Sequence, residues 1–235
     1  MVFSLPINTI SEVSYIELQD EAGWASEASK NWFSSFPISS QQTSLNSLNP
    51  LIPSPYGEFN PLIQDSPVPK LEIGASENLA ILQLSTNNGE LIYELEENYD
   101  FIPLERISTT VWIIKKTSSH DVFSQLEQDA TVRWIDNLAL GWKLHPSLYP
   151  MANVGTMSAL VILSPEMDEE DLGIFERDLS EKGIEIISCG ITDCQIRIDE
   201  TKSNQLEILL LEDRILWIEP SVSYVLTNAQ ASEQS

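Results

Sequence analysis

The chain has 235 residues and 42% of them are hydrophobic, enough for the core of one large domain or two small ones. Acidic residues number 36 against 12 basic ones, a formal charge of -24, so nucleic acid is excluded as a partner, because its phosphates would be repelled and no basic stripe offers counterion release. Anionic membrane surfaces are disfavoured for the same reason, and the acidity reads as solubility in a salty medium or as a docking face for basic groups or helix N-termini.

No apolar run approaches the roughly 20 residues that a membrane-spanning helix needs. The opening "MVFSLPINTISEVSYIELQDE" lacks a charged segment followed by an apolar core, so a signal peptide is expected to be absent or to lie outside this chain. Residues 1–75 are expected to form a mostly disordered leader. They are rich in Ser, Pro, Asn and Gln and hold neither helical nor strand periodicity, and Trp24, Trp32 and Phe33 are their sticky spots.

A regular pattern begins after the leader. "LAILQLS" (79–85) reads as a compact strand, and "GELIYELEENY" as a helix with Leu91, Ile92 and Leu95 at helical spacing. "DFIPLERIS" and "TTVWIIKK" read as two strands, the second strongly β-branched and aromatic. "SSHDVFSQLEQD" predicts a helix capped by its serines, with Phe123 and Leu126 inward, and "TVRWID" predicts a closing strand.

The same order then recurs. "SALVILS" (158–164) is a strand, followed by the strongest helical signal, "PEMDEEDLGIFERDLSEKG". Pro165 stands near the start of this helix, Asp168, Glu169, Glu170 and Asp171 suit its positive end, and Lys182 and Gly183 suit its C-terminus. Leu172, Phe175 and Leu179 form its inner stripe. "IEIISC" and "CQIRID" make a hairpin, "TKSNQLEILLLED" a helix with Leu206, Leu209 and Leu210 inward, and "RILWIE" the last strand.

Val132-Arg133-Trp134-Ile135-Asp136 and Ile215-Leu216-Trp217-Ile218-Glu219 are therefore the fourth strands of two copies of one βαββαβ pattern. The expected class is α+β, with two tandem ferredoxin-like units, each a four-stranded antiparallel sheet carrying two helices. The expected divisions are a leader (1–75), a first unit (76–138), a linker (139–156), a second unit (157–222) and an extended tail (223–235).

Candidate catalytic groups are few. His120 and His145 read as surface residues without a nucleophile in recognisable context, and no phosphate loop, HExxH or CxxC is present. "GTMSA" (155–159) has Met and Ser in the wrong order for a serine-protease nucleophile motif, and it leads into a strand. "EMDEED" spreads its carboxylates around a helix, which does not make a calcium cage. No catalytic, cofactor or metal residue is assigned. Two cysteines are too few for a disulfide framework or a four-ligand zinc site. Cys189 and Cys194 flank a four-residue turn, and they either bridge in an oxidising compartment or stay as buried thiols.

The second copy and its tail resemble the N-terminal proregions of microbial subtilisin-like serine proteases (subtilases). Ile215, Trp217, Ile218 and Glu219, followed by Leu226, Asn228 and Ala231, match that family's last strand and maturation boundary. Val132, Trp134, Lys143, Pro146 and Leu148 resemble a further motif of its larger members, although "LGW" (140–142) departs from it. The resemblance covers residues 77–235. It implies a non-catalytic module that packs its sheet on two helices of a protease domain, in cis or in trans. That module assists folding of the protease and lays its tail in the substrate cleft, through Tyr224, Val225, Leu226, Thr227 and Asn228. It also implies export, to the cell surface or beyond. The alternative reading is a tandem ferredoxin-like binding or scaffold protein, of ligand-regulatory or assembly type, in which such units join sheets edge to edge around a ligand.

Overall fold

The computed structural model describes residues 50–118, 120–151, 155–199 and 204–221. The expected cleft residues Tyr224, Val225, Leu226, Thr227 and Asn228, and the leader up to residue 49, lie outside them.

Two βαββαβ units follow one another. The first contains β1 (Ala75–Leu84), α1 (Leu91–Asn98), β2 (Phe101–Arg106), β3 (Val111–Lys116), α2 (Val122–Glu127) and β4 (Val132–Ala139). The second contains β5 (Thr156–Leu163), α3 (Glu169–Glu181), β6 (Glu185–Cys189), β7 (Asp193–Asp199), α4 (Gln205–Leu210) and β8 (Ile215–Pro220). Strand order is β2-β3-β1-β4 in one sheet and β6-β7-β5-β8 in the other, with antiparallel pairing throughout. This is the α+β, twin ferredoxin-like architecture.

Local chemistry accounts for the helices. The Asp168 carboxylate accepts hydrogen bonds from the Glu170 and Asp171 amides, each at 2.9 Å, and so caps α3. Glu169, Glu170 and Asp171 add negative charge at its positive end, and Gly183, with φ at 77°, ends it after Lys182. Phe175 and Leu179 are buried beneath it. The cap of α2 is Asp121, not a serine. Its carboxylate accepts from the Ser124 amide at 3.3 Å, because the residue directly before the first turn has the shortest reach to that donor.

One cluster fills each sheet–helix layer, with Leu82, Ile92 and Leu126 in the first unit and Val161, Phe175 and Leu209 in the second. A third cluster lies between the units, where Leu79, Ile81 and Ile113 meet Ile162, Leu216 and Trp217. The two sheets thus pack by their helix-free faces, in four layers, where the scaffold reading expected edges to join. β3 explains this outcome: Val111, Trp112, Ile113 and Ile114 are all buried, so the sheet is apolar on both sides and needs cover on both.

The end of the expected leader and the expected linker both belong to this core. Residues 50–74, assigned by composition to the leader, form a strap across the inter-sheet layer, with Ile52 at 0%, Phe59 at 2% and Val68 at 3% exposure. Ile52 and Phe59 exchange both backbone hydrogen bonds, closing a turn in which Gly57 takes φ of 125°. The Tyr56 hydroxyl donates to the Leu144 carbonyl at 3.0 Å, and burial pushes its pKa up to about 12. Residues 139–156, expected as a linker, hold two short 3₁₀ turns (Leu140–Lys143 and Pro146–Leu148), and Leu140, Trp142, Lys143, Leu144 and Leu148 are buried. Leu144 makes a parallel bridge to Ile218, and the His145 amide donates to the Ile218 carbonyl at 2.9 Å, so this segment seals the outer edge of β8.

At Gly141 the strap and the linker touch. A Cβ there would collide with the Pro69 carbonyl oxygen and meet the Val68 side chain at 3.0 Å. Gly141→Ala is expected to lower the unfolding free energy by about 2 kcal/mol, as overpacking against a fixed carbonyl does. Urea denaturation followed by circular dichroism measures it; an unchanged midpoint would remove the strap from the core.

Polar contacts also join the units. Ser76 Oγ and Asn78 Nδ2 donate to the two carboxylate oxygens of Asp213 at 2.7 and 2.6 Å, and Lys115 pairs with Glu166. Lys143 is fully buried, and its Nζ donates to the Leu210 and Glu212 carbonyls at 3.0 Å each. Within the second unit, Arg214 hydrogen-bonds Glu212 and Asp178 at 2.8 Å, which holds the Asp178 carboxyl below its usual range.

Candidate docking face

The registers of the two sheets superimpose residue by residue. Gln83 faces Val111 on one side and Trp134 on the other, and Ile162 faces Asp193 and Trp217 in the same way. Trp134 and Trp217 therefore occupy one position of the repeat, on the helix-free face. One step along β3 and β7, Trp112 corresponds to Cys194. Their cross-strand neighbours, Arg106 and Cys189, correspond as well.

Both second strands carry a bulge at the same place. Leu104 and Glu105 stand opposite Ile113, and Ile187 and Ser188 stand opposite Gln195. A bulge of this kind turns two successive side chains to one face. Leu104 and Ile187 are thus equivalents that project from helix-free faces, yet Leu104 is 1% exposed and Ile187 is 44% exposed. Cover accounts for the difference, since the strap and the other unit lie over the first sheet. On the second sheet, the inter-unit cluster reaches Leu160, Ile162, Leu216 and Trp217 of β5 and β8. Burial has a further effect on the covered side, where it pushes the partly buried Glu105 carboxyl up to about 8.

Among the described residues, none of the inter-unit cluster covers the β6–β7 half of the second sheet. Ile187 stands on it beside Ser188 and Gln195, and Glu185 faces Arg197 across the strands in an exposed ion pair at 3.4 Å. Such a pair adds little stability but leaves both charges available to a partner. Ile191, at the turn of the hairpin, is also exposed. Cys189 and Cys194, the pair expected either to bridge or to stay as thiols, are disulfide-bonded across this hairpin.

Ser221, the last described residue, lies beside this open half. The Ser221 amide donates to the Ser158 carbonyl at 2.9 Å, extending the β8 pairing, and Gln195 Nε2 donates to Ser221 Oγ at 2.8 Å. The motif residues that carry the family resemblance have structural positions here. Trp217 is enclosed between the units and its Nε1 donates to Glu219 at 3.0 Å, Leu148 lies in the core of the second unit, and Lys143 holds the end of α4. His145 differs from the surface reading: its ring is partly buried against Trp217 at 5.9 Å, and its Nδ1 accepts from the Ser147 amide. His120 is exposed. Ile187 and Gln195 were not singled out from sequence, because strand alternation carries no mark of a bulge.

Among the described residues, no group of three or more His, Cys, Asp or Glu side chains is arranged to hold a metal ion, and no helix is long and apolar enough to cross a membrane. Compared with known proteins, the chain matches no family model and no curated sequence.

Proposed function

We propose that this chain is the non-catalytic proregion of a subtilisin-like serine protease, a folding assistant and temporary inhibitor that docks through its second sheet and presents its tail to the substrate cleft. The observation that supports the reading is the Gln195–Ser221 hydrogen bond, which ties the last described residue, Ser221, to β7 of that sheet. One protease surface could then engage the sheet and the tail together, and joining two contacts in one molecule raises affinity by effective concentration alone. An extended tail adds main-chain hydrogen bonds to a strand edge in a cleft, while side-chain pockets select its sequence. Cover by the first unit limits the docking area to β6 and β7, with Ile187 as its apolar centre.

A tandem scaffold with ligands held between joined sheet edges is less favoured, since the sheets meet by their faces through a packed core.

Inhibition of a subtilisin-type protease tests the proposal. Removing residues 226–228, or changing Ile187 to Asp, is expected to weaken inhibition by about tenfold or more, the loss that one truncated anchor gives. A control change at the exposed Tyr93, on α1 of the other unit, is expected to leave inhibition unaltered. Full potency in both the tail deletion and Ile187→Asp would reject the reading.

A further inference from the structure

The disulfide occupies a telling position in the repeat. In the first unit the equivalent cross-strand pair is Arg106 and Trp112, whose guanidinium stacks over the indole at 5.7 Å. There the outer strand β2 is also held by Leu104 and Ile107, both buried in the inter-unit cluster. In the second unit, among the described residues, β6 pairs with β7 alone, packs Ile186 and Cys189 against the helix layer, and leaves Ile187 on the bare face. An outer strand of five residues with one uncovered face has few contacts to resist local opening. A covalent link across the hairpin supplies what the missing cover does not, by restricting the opened states of the short loop it closes.

We propose that the Cys189–Cys194 bond is a redox clasp on the docking edge, so that β6 is fully ordered only where a disulfide-bearing oxidant is available. The accessible partner is Cys189, which is partly exposed, whereas Cys194 is 0% exposed in the core of the second unit. The Cys189 thiolate attacks the oxidant's disulfide, forming a mixed disulfide and releasing one oxidant sulfur as a thiol. The Cys194 thiolate then attacks Cys189 Sγ and expels the second oxidant sulfur. Two protein thiols have become a cystine, and one oxidant disulfide has become two thiols. In a reducing compartment the reaction runs backward and the edge loosens two residues from Ile187. The clasp thereby ties docking strength to arrival in an oxidising compartment, where cystines persist. This consequence for docking rests on the proregion reading; the clasp itself does not.

Hydrogen exchange on the full chain separates the two. The oxidised protein is compared with the same protein reduced by dithiothreitol, and with Cys189→Ser, which keeps Cys194 in the core. Reduction of the folded protein keeps the test valid even if the variant does not fold. Amides of residues 186–189 are expected to exchange about tenfold faster or more without the bond, while those of β1 and β3 keep their protection. Inhibition of a subtilisin-type protease is expected to weaken about tenfold in parallel. Equal protection of residues 186–189 in both redox states would overturn the clasp. Faster exchange with undiminished inhibition would keep the clasp and overturn docking through this edge.

Discussion

Replacing Trp217 with alanine is expected to lower the unfolding free energy by about 3–5 kcal/mol, the range for removing a large buried aromatic side chain. The indole is 0% exposed and lies between the two sheets, so its loss opens a cavity shared by both units. Its Nε1 bond to Glu219 and its contact with the His145 ring are lost too. Trp134 occupies the same place in the repeat but is partly exposed, with the Phe59 ring at 6.3 Å across its edge. Trp134→Ala is therefore expected to cost less, about 1–2 kcal/mol. Urea denaturation followed by far-ultraviolet circular dichroism compares the two without relying on tryptophan emission. Equal losses would contradict the unequal cover of the two faces, since the repeat alone treats these residues alike. The first unit's unfolding is also expected to shift with Trp217→Ala, because Leu79, Ile81 and Ile113 belong to the same cluster.

The repeat of tryptophans was legible in the sequence because strands and helices leave periodic marks. Short apolar runs, some of them β-branched, marked all eight strands. The Phe175–Leu179 spacing and the carboxylates after Asp168 gave α3 with its cap. The strap was not legible, because Ile52, Phe59 and Val68 are separated by seven and nine positions and enter the core one at a time from an irregular, proline-rich backbone. No window of ordinary length registers such a pattern. The segment from Leu140 to Leu148 escaped for a related reason: its turns are three and four residues long, and a lysine stands at one of its most buried places. Of the candidate site, the cysteine pair was visible as a pair but its state depended on strand register. Cys189 lies directly opposite Cys194 because the bulge at Ile187 shifts β6 by one residue, and bulges have no sequence signature of their own here. That same shift keeps Ser188 on the face of Ile187 and returns Cys189 to the helix side, which simple alternation from Ile186 does not foretell.

Between pH 8 and 10.5 the protein is expected to gain stability relative to Lys143→Met, by up to about 3 kcal/mol. Lys143 is enclosed by the linker and the end of α4, and burial pushes its pKa down from 10.5 to about 8, against the opposing pull of Asp213 and Glu212. Each unit of separation between folded and unfolded pKa is worth about 1.4 kcal/mol. Below pH 8 both states hold the proton and the term is constant. Between the two values the folded state has released its proton and the unfolded state retains it, so stability rises with pH. Above 10.5 both are neutral and the gain is complete. The neutral amine still donates to the Leu210 and Glu212 carbonyls, so deprotonation removes the desolvation cost without breaking the contact between linker and helix. Methionine fills similar volume without titrating, which removes the slope while leaving the Leu210 carbonyl without this donor. Comparing wild type with the variant at each pH cancels the growing self-repulsion of a chain already at -24, which lowers both curves. Denaturation midpoints at pH 7.5, 9 and 10.5 test the difference. Parallel curves would mean that Lys143 titrates as it does in solvent, and the linker would then lose its place as the buried joint between the tail-bearing unit and the rest of the molecule.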